Sequence, residues 1–379
     1  MACILVSIIV FFWLESENPK NIKGSGSDSL EFLSNEISQD FEKAIEIREF
    51  TFPEDYAAHS EYLTEWWYYT GNLKTEEGRH FGYQLTFFRR AIPTDIPEKR
   101  ASDWATNQIY LAHFAITDTQ SNSHLVTDQI ARNANNLAGT SIDPYFYIWL
   151  NNWQIRQTDE NTFMMKADAD NFGLELLLEN SKPEVLHGDR GLSQKGEQIG
   201  NASYYFSQTR LDTNGRLRID DQWFEVSGFS WMDHEFGTST LGANQVGWDW
   251  FSMQLDNQTE MMLFQIRNED KTVSQFSSGT FIGQNGETTY LSNKEFAIEV
   301  IDTWKNPTGS EYPIKWSVRI EKLGLELEVV PVIKDQEMDL FFQYWEGAVF
   351  ISGTMNGEII EGFGYVELTG YAQSLQGVF

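Results

Sequence analysis

The chain has 379 residues, and 27 basic against 56 acidic side chains leave a formal charge of -29. A field this negative repels phosphate backbones and anionic membrane surfaces, which excludes nucleic acid as a partner. Cys3 is the sole cysteine and lies in the first apolar stretch, so disulfides, thiolate catalysis and cysteine metal sites are excluded from the folded part.

At this length two domains are expected, and an aromatic content of 15% supplies large rings for two cores. Residues 2–14 form an apolar run too short for an ordinary spanning helix but suited to a secretory signal, so residues 1–16 read as a signal-like segment. Export to the periplasm or the extracellular space is the expectation, with an uncleaved membrane anchor as the alternative. Residues 17–47 read as a flexible linker around Gly24-Ser25-Gly26-Ser27, with a short helical pattern from 30 to 47.

Beyond Phe52 the hydrophobic period becomes two. Residues 64–73, 81–88, 109–117, 163–167, 174–178, 203–211 and 224–232 read as strands, separated by turn clusters such as Asp212-Thr213-Asn214-Gly215. The pattern resumes at 248–255, 261–267, 294–300, 314–320, 325–331, 344–354 and 361–368. Many short antiparallel strands without long amphipathic helices imply an all-β barrel or sandwich architecture. The Gly/Thr/Ser segment from Gly237 sets the expected boundary, giving an N-terminal domain at 48–237 and a C-terminal one at 238–379.

Strand alternation also sorts the candidate site residues. In the segment 64–73, Glu65, Trp67 and Tyr69 share one face, and a carboxylate among rings must find a partner, structural or ligand-borne. One of Arg89 and Arg90 should point inward as a partner for Glu65 or Asp233. His113 sits in an apolar strand, either as a core histidine or as a general base. Tyr204 and Phe206 share a face of their strand, where a buried phenol could serve a substrate or close a network. The glycine-containing loop 186–193 could cap a barrel mouth.

Asp233-His234-Glu235 is the densest acid–base stretch of the chain. Alternation turns His234 away and leaves Trp231, Asp233 and Glu235 on one face, so the three do not converge on a metal; neither metal nor other cofactor is expected. Two carboxylates beside an indole instead favour a raised pKa and a proton held for general acid catalysis. No G-x-S-x-G elbow supports a serine hydrolase. Trp248 and Trp250 of Gly247-Trp248-Asp249-Trp250 supply aromatic walls.

The chain resembles the AttH-like family of secreted, lipocalin-like proteins related to bacterial carotenoid hydratases. The resemblance rests on T-E-W-W-Y-Y-T-G-N-L from Thr64, G-Y-Q-L-T-F-F-R from Gly82, A-H-F-A-I-T-D from Ala112 and H-G-D-R-G-L-S from His187. It continues in A-S-Y-Y-F-S-Q-T-R from Ala202, W-M-D-H-E from Trp231, G-W-D-W-F-S from Gly247 and Y-W-E-G-A-V from Tyr344. It implies two consecutive lipocalin-like antiparallel β-barrels with a cleft between them, and it sets Asp233 at the position of the hydratases' acid. Trp231 stands where those enzymes tend to have tyrosine, and Tyr204 and Phe206 near where they have histidine and tryptophan; this departure bears on carotenoid hydration more than on proton donation by Asp233. The expectation is an exported hydratase or hydrolase acting on an apolar ligand, with Asp233 as acid and Glu65, Arg89, His113 and Tyr204 orienting water or substrate. A non-catalytic carrier of a lipid or isoprenoid is the alternative.

Overall fold

The computed structural model describes residues 41–92, 104–239, 241–242, 244–340 and 342–374. Among them there is no α-helix, and no helix long and apolar enough to cross a membrane. The apolar run at 2–14 lies outside the described residues.

The first sheet contains β1 (Thr64–Lys74), β2 (His80–Ala91), β3 (Gln108–Asp118), β4 (Ser123–Arg132), β5 (Ala138–Ser141), β6 (Tyr147–Leu150), β7 (Trp153–Gln157), β8 (Thr162–Asp168), β9 (Phe172–Asn180), β10 (Val185–Leu186), β11 (Leu192–Gln194), β12 (Ala202–Ile219) and β13 (Gln222–Ser239). Its strands run in the order β4-β3-β2-β1-β13-β12-β9-β8-β7-β6-β5, with β10 and β11 added to β12. The sheet curls until β6 lies against β3 and β4, making a barrel. The second sheet contains β14 (Gln245–Leu255), β15 (Glu260–Asn268), β16 (Ser278–Ile282), β17 (Thr288–Ser292), β18 (Ala297–Lys305), β19 (Glu311–Ile320), β20 (Leu325–Pro331), β21 (Glu337–Asp339), β22 (Gln343–Met355) and β23 (Glu358–Leu368). Its order is β17-β16-β15-β14-β23-β22-β20-β19-β18, with β21 on β22.

Each barrel is filled by the inward half of its alternating strands. Trp67, Tyr69 and Leu73 of β1 enter the first core, while Trp66 and Tyr68 face out of it. Phe251, Met253 and Leu255 of β14 enter the second core, and Trp250 faces out. Each large apolar side chain taken fully from water is worth roughly 1.5–3 kcal/mol, so both interiors are occupied by packing. The outward residues of the two sheets meet in a third apolar cluster that includes Tyr68, Tyr205, Trp231, Trp250 and Phe264. Polar links cross the same seam: Gln254 donates to the Thr209 and Ser230 carbonyls at 2.8 and 2.9 Å, and Lys182 pairs with Glu260 at 2.6 Å.

Three sequence expectations change. Asp212-Thr213-Asn214-Gly215 is no turn but the middle of β12, which pairs with β9 on one side and β13 on the other. Gly215 is needed there because a Cβ would come within 2.2 Å of the Glu175 carbonyl; the hairpin turns at Asp220, whose φ is 51°. The described part of the linker, from Phe41, is neither helical nor loose, since the Glu42 backbone bonds Glu61 and the segment receives hydroxyl bonds from Thr238 and Tyr204. The first sheet also runs past the expected boundary at Gly237, to Ser239.

Candidate active site

The register of β13 fixes where its side chains point. Asp233 stands opposite Tyr68 of β1 and Ser207 of β12, and Glu235 opposite Trp66 and Tyr205. Directly opposed residues share a face, so these six side chains look outward from the first barrel towards the second. Five of them line a cleft of about 70 Å³ with Phe88, Lys195, Trp248, Trp250, Phe264, Ile266, Phe342, Tyr344 and Glu367, and Ser207 lies just behind the lining.

Asp233 is only 4% exposed. Its Oδ2 accepts the Tyr205 hydroxyl at 2.6 Å; its Oδ1 accepts the Trp231 indole N–H at 2.6 Å and the Ser207 hydroxyl. Burial pushes this carboxyl up to about 7; the three donors oppose the rise and the neighbouring Glu235 adds to it. Behind Ser207 stands His187, with Nε2 2.7 Å from the Ser207 hydroxyl and Nδ1 2.9 Å from that of Thr280 in the second barrel. Burial drives His187 down to about 3, so this imidazole is neutral. The Trp250 indole donates to the Tyr205 oxygen at 3.0 Å, tying the phenol to the second barrel as well.

The second barrel brings its own acid. Glu367 on β23 accepts the Trp248 indole N–H at 2.6 Å. Burial lifts it to about 7, with Trp248 opposing and Glu235 and Asp233 adding. Two carboxyls from different barrels thus titrate near neutrality on one cleft. Lys195 pairs with Glu235 at 3.1 Å and lies over the Phe264 ring.

The other sequence-derived candidates are distributed differently. Glu65, Trp67, Tyr69, Arg89 and Phe206 face the first barrel's interior, because they alternate with the cleft-facing positions, and the wall and orienting roles expected of them are not what their side chains are placed for. Tyr204 points the same way and donates to the Glu46 carbonyl at 2.6 Å; the phenol beside Asp233 is its neighbour Tyr205. His113 lies behind the lining, its Nδ1 2.9 Å from the Tyr344 hydroxyl, and burial takes it down to about 3, too acidic for a base near neutrality. Trp231 supports Asp233 from behind, while Glu235, Trp248 and Trp250 do line the cleft.

Glu65 has its partner inside the barrel. Arg89 Nε meets its Oε2 at 2.8 Å, and His59 and His234 both reach its Oε1 at 2.8 Å. Burial favours the neutral acid, but Arg89 and the imidazoles hold Glu65 well below the usual carboxylate range. Against burial, Glu65 and Asp55 hold His59 up at about 9. His59, Glu65 and His234 are the set of possible metal ligands that converges among the described residues. Both imidazoles already bond one oxygen and Arg89 covers the other, so an incoming cation would displace protons beside a guanidinium; His234 Nδ1 is the ring nitrogen of the set left without a partner.

The family model for AttH-like proteins matches residues 43–371. The chain belongs to the AttH-like family. The crystal structure of an AttH-designated protein from Nitrosomonas europaea is similar at 30% identity and a TM-score of 0.76, over 87% of this chain and 100% of that one. Kievitone hydratase of Fusarium solani subsp. phaseoli is 24% identical over 213 residues, which span 53% of this chain and 58% of that enzyme. The crystal structure of kievitone hydratase from Nectria haematococca superposes with a TM-score of 0.66 at 16% identity, over 88% of this chain and 97% of that one, a likeness of fold. This AttH-like protein therefore shares its two-barrel, lipocalin-like fold with proteins that include kievitone hydratase.

Proposed function

We propose that this protein is a hydratase that adds water across a carbon–carbon double bond of an apolar, isoprenoid- or lipid-like ligand held between the barrels. The observation that carries the reading is Asp233, a buried carboxyl at the cleft whose proton is retained to about pH 7. A general acid works best with a pKa near the working pH. Asp233 gives its proton to one alkene carbon, the water oxygen bonds to the other, and the water's proton passes to Glu367. Cleft water returns that proton to Asp233, so the net change is one alkene and one water becoming one alcohol. The faces of Trp66, Tyr68, Trp248 and Trp250, all on the lining, stabilise the cationic carbon by cation–π attraction. Kinship with kievitone hydratase supports the reaction class, and the apolar run at residues 2–14 supports an exported or membrane-tethered protein.

A carrier would bind through the same aromatic walls but would not need a proton-bearing carboxyl among them. The two readings separate in deuterated water. Wild-type protein incubated with prenylated aromatics and acyclic isoprenoid alkenes should yield an adduct carrying one added water and one new carbon–deuterium bond. Asp233→Asn should bind the same compound and return it unchanged. Wild-type protein that only retains intact ligand, or an Asn variant as fast as wild type, would end the proposal.

A further inference from the structure

The Y-W-E-G-A-V segment contributes a carboxyl that the reaction above leaves unused. Glu346 on β22 is fully buried and stands directly opposite Glu367 on β23. Side chains on such a rung share a face, with Cβ atoms about 4.5–5.5 Å apart. Tyr68 of β1, a cleft-lining phenol, donates to Glu346 Oε1 at 2.5 Å. The other carboxyl oxygen, Oε2, is buried without a hydrogen-bond partner.

The geometry points to Glu346 and Glu367 acting as a carboxyl pair that holds one proton between them, kept on Glu346, so that Glu367 is the member free to accept a proton at the cleft. The inference rests on the reading of Glu367 as the hydratase's base. Two like charges on one buried rung cannot both persist. The proton belongs on Glu346 for two reasons: an orphan oxygen in a dry site is better as O–H than as bare carboxylate, whereas Glu367 has an indole donor and the open cleft to stabilise its charge. The titratable groups around Glu346 are Tyr68 from β1, Glu367 and Tyr365 from β23, and Tyr344 on its own strand; the two that act on it most are Glu367 and Tyr68, and neither is a cation. Burial accordingly raises Glu346 well above the carboxylate range, Glu367 adding to the rise and the Tyr68 bond opposing it. Glu346 is thus a positioning residue: it is one layer behind the cleft and works by staying neutral beside the base.

Infrared titration of the full chain reads this without any substrate. The wild type should show the carbonyl stretch of a buried protonated carboxyl persisting to pH values above those at which Asp233 and Glu367 ionise. Glu346→Gln, isosteric and neutral, should lose that band while keeping the folded circular-dichroism spectrum. Glu367→Gln removes the opposing charge, so the Glu346 band should titrate at a pH at least tenfold higher in proton concentration than in wild type. A high-pH band unchanged in Glu346→Gln, or a Glu346 titration unmoved in Glu367→Gln, overturns the inference. Because neither measurement uses turnover, these outcomes are independent of whether the hydration assay succeeds.

Discussion

Replacing Asp233 by asparagine should make the protein more stable, and increasingly so as the pH rises. Asparagine copies the shape of the protonated carboxyl, with its Nδ2 donating to the Tyr205 oxygen where Oδ2 accepted from it, so the pH dependence of the difference comes from the variant never having to ionise. The folded carboxyl titrates at about 7 against an ordinary value of 3.8. Its folded-state pKa is raised, so the native state holds the proton more tightly than the unfolded chain does. That contribution to stability is fully present below the unfolded pKa, and it is lost progressively until the pH passes the folded pKa. The loss amounts to about 1.36 kcal/mol per pH unit across a gap of about three units, on the order of 4 kcal/mol in all. Urea denaturation of both proteins at about pH 3, 5 and 8 checks this. The two should be similar at the lowest pH, and the variant should lead by roughly 1–2 kcal/mol at the middle one and roughly 4 at the highest. A stability difference flat across that range, or one in which wild type gains with pH, would refute a raised pKa at Asp233.

Three further substitutions separate the cleft from the barrel interior. Tyr205→Phe removes the hydroxyl that donates to Asp233 and accepts from Trp250, and hydration in the deuterium assay should fall by at least roughly tenfold, the loss of about 1.4 kcal/mol of transition-state stabilisation. Tyr204→Phe loses the bond to the Glu46 carbonyl away from the cleft, about 1 kcal/mol of stability by denaturant titration, and its turnover should match wild type. Glu65→Gln leaves the Arg89 guanidinium without its counter-charge in the first core, while His59 keeps Asp55, and should lower unfolding free energy by roughly 3–5 kcal/mol; a loss below about 1 kcal/mol would show that the network is not held by that charge.

The strands and the outward face of β13 were legible in the sequence because alternation is a local property. Trp231, Asp233 and Glu235 separate from Met232, His234 and Phe236 by period alone, and the structure keeps that separation. What faces them is set by register, which no local pattern contains. Tyr205 and Ser207 were hidden for that reason: the Ala202–Gln208 stretch offers two faces, one with Tyr204 and Phe206 and one with Ser203, Tyr205 and Ser207, and only pairing with β13 decides which meets Asp233. The polar face of that stretch was the available signal. His187 and Glu367 were harder still, since one arrives from a loop and the other from the second sheet, more than a hundred residues away. The Asp212–Gly215 cluster misled in the opposite sense, because its turn-forming composition serves a close approach between strands.

The same register explains why the proposed chemistry belongs between the barrels rather than within either. Both interiors are packed with side chains, so a ligand cannot enter as it does in a hollow barrel. The outward faces of β1, β13, β14 and β23 are left to form the cleft, and each barrel supplies one member of the proposed acid–base pair to it, Asp233 from the first and Glu367 from the second. Neither barrel alone carries both members of that pair. Their pairing depends on the seam staying shut, and the seam holds its own buried charges: Glu260 lies between Lys182 and Arg210 of the first barrel. Opening it would strand those charges without partners as water entered the cleft, and would return Asp233 and Glu367 towards ordinary carboxylate behaviour. The docking of the two barrels is therefore what creates the raised pKa values, and the proposed catalytic pair exists only in the assembled chain.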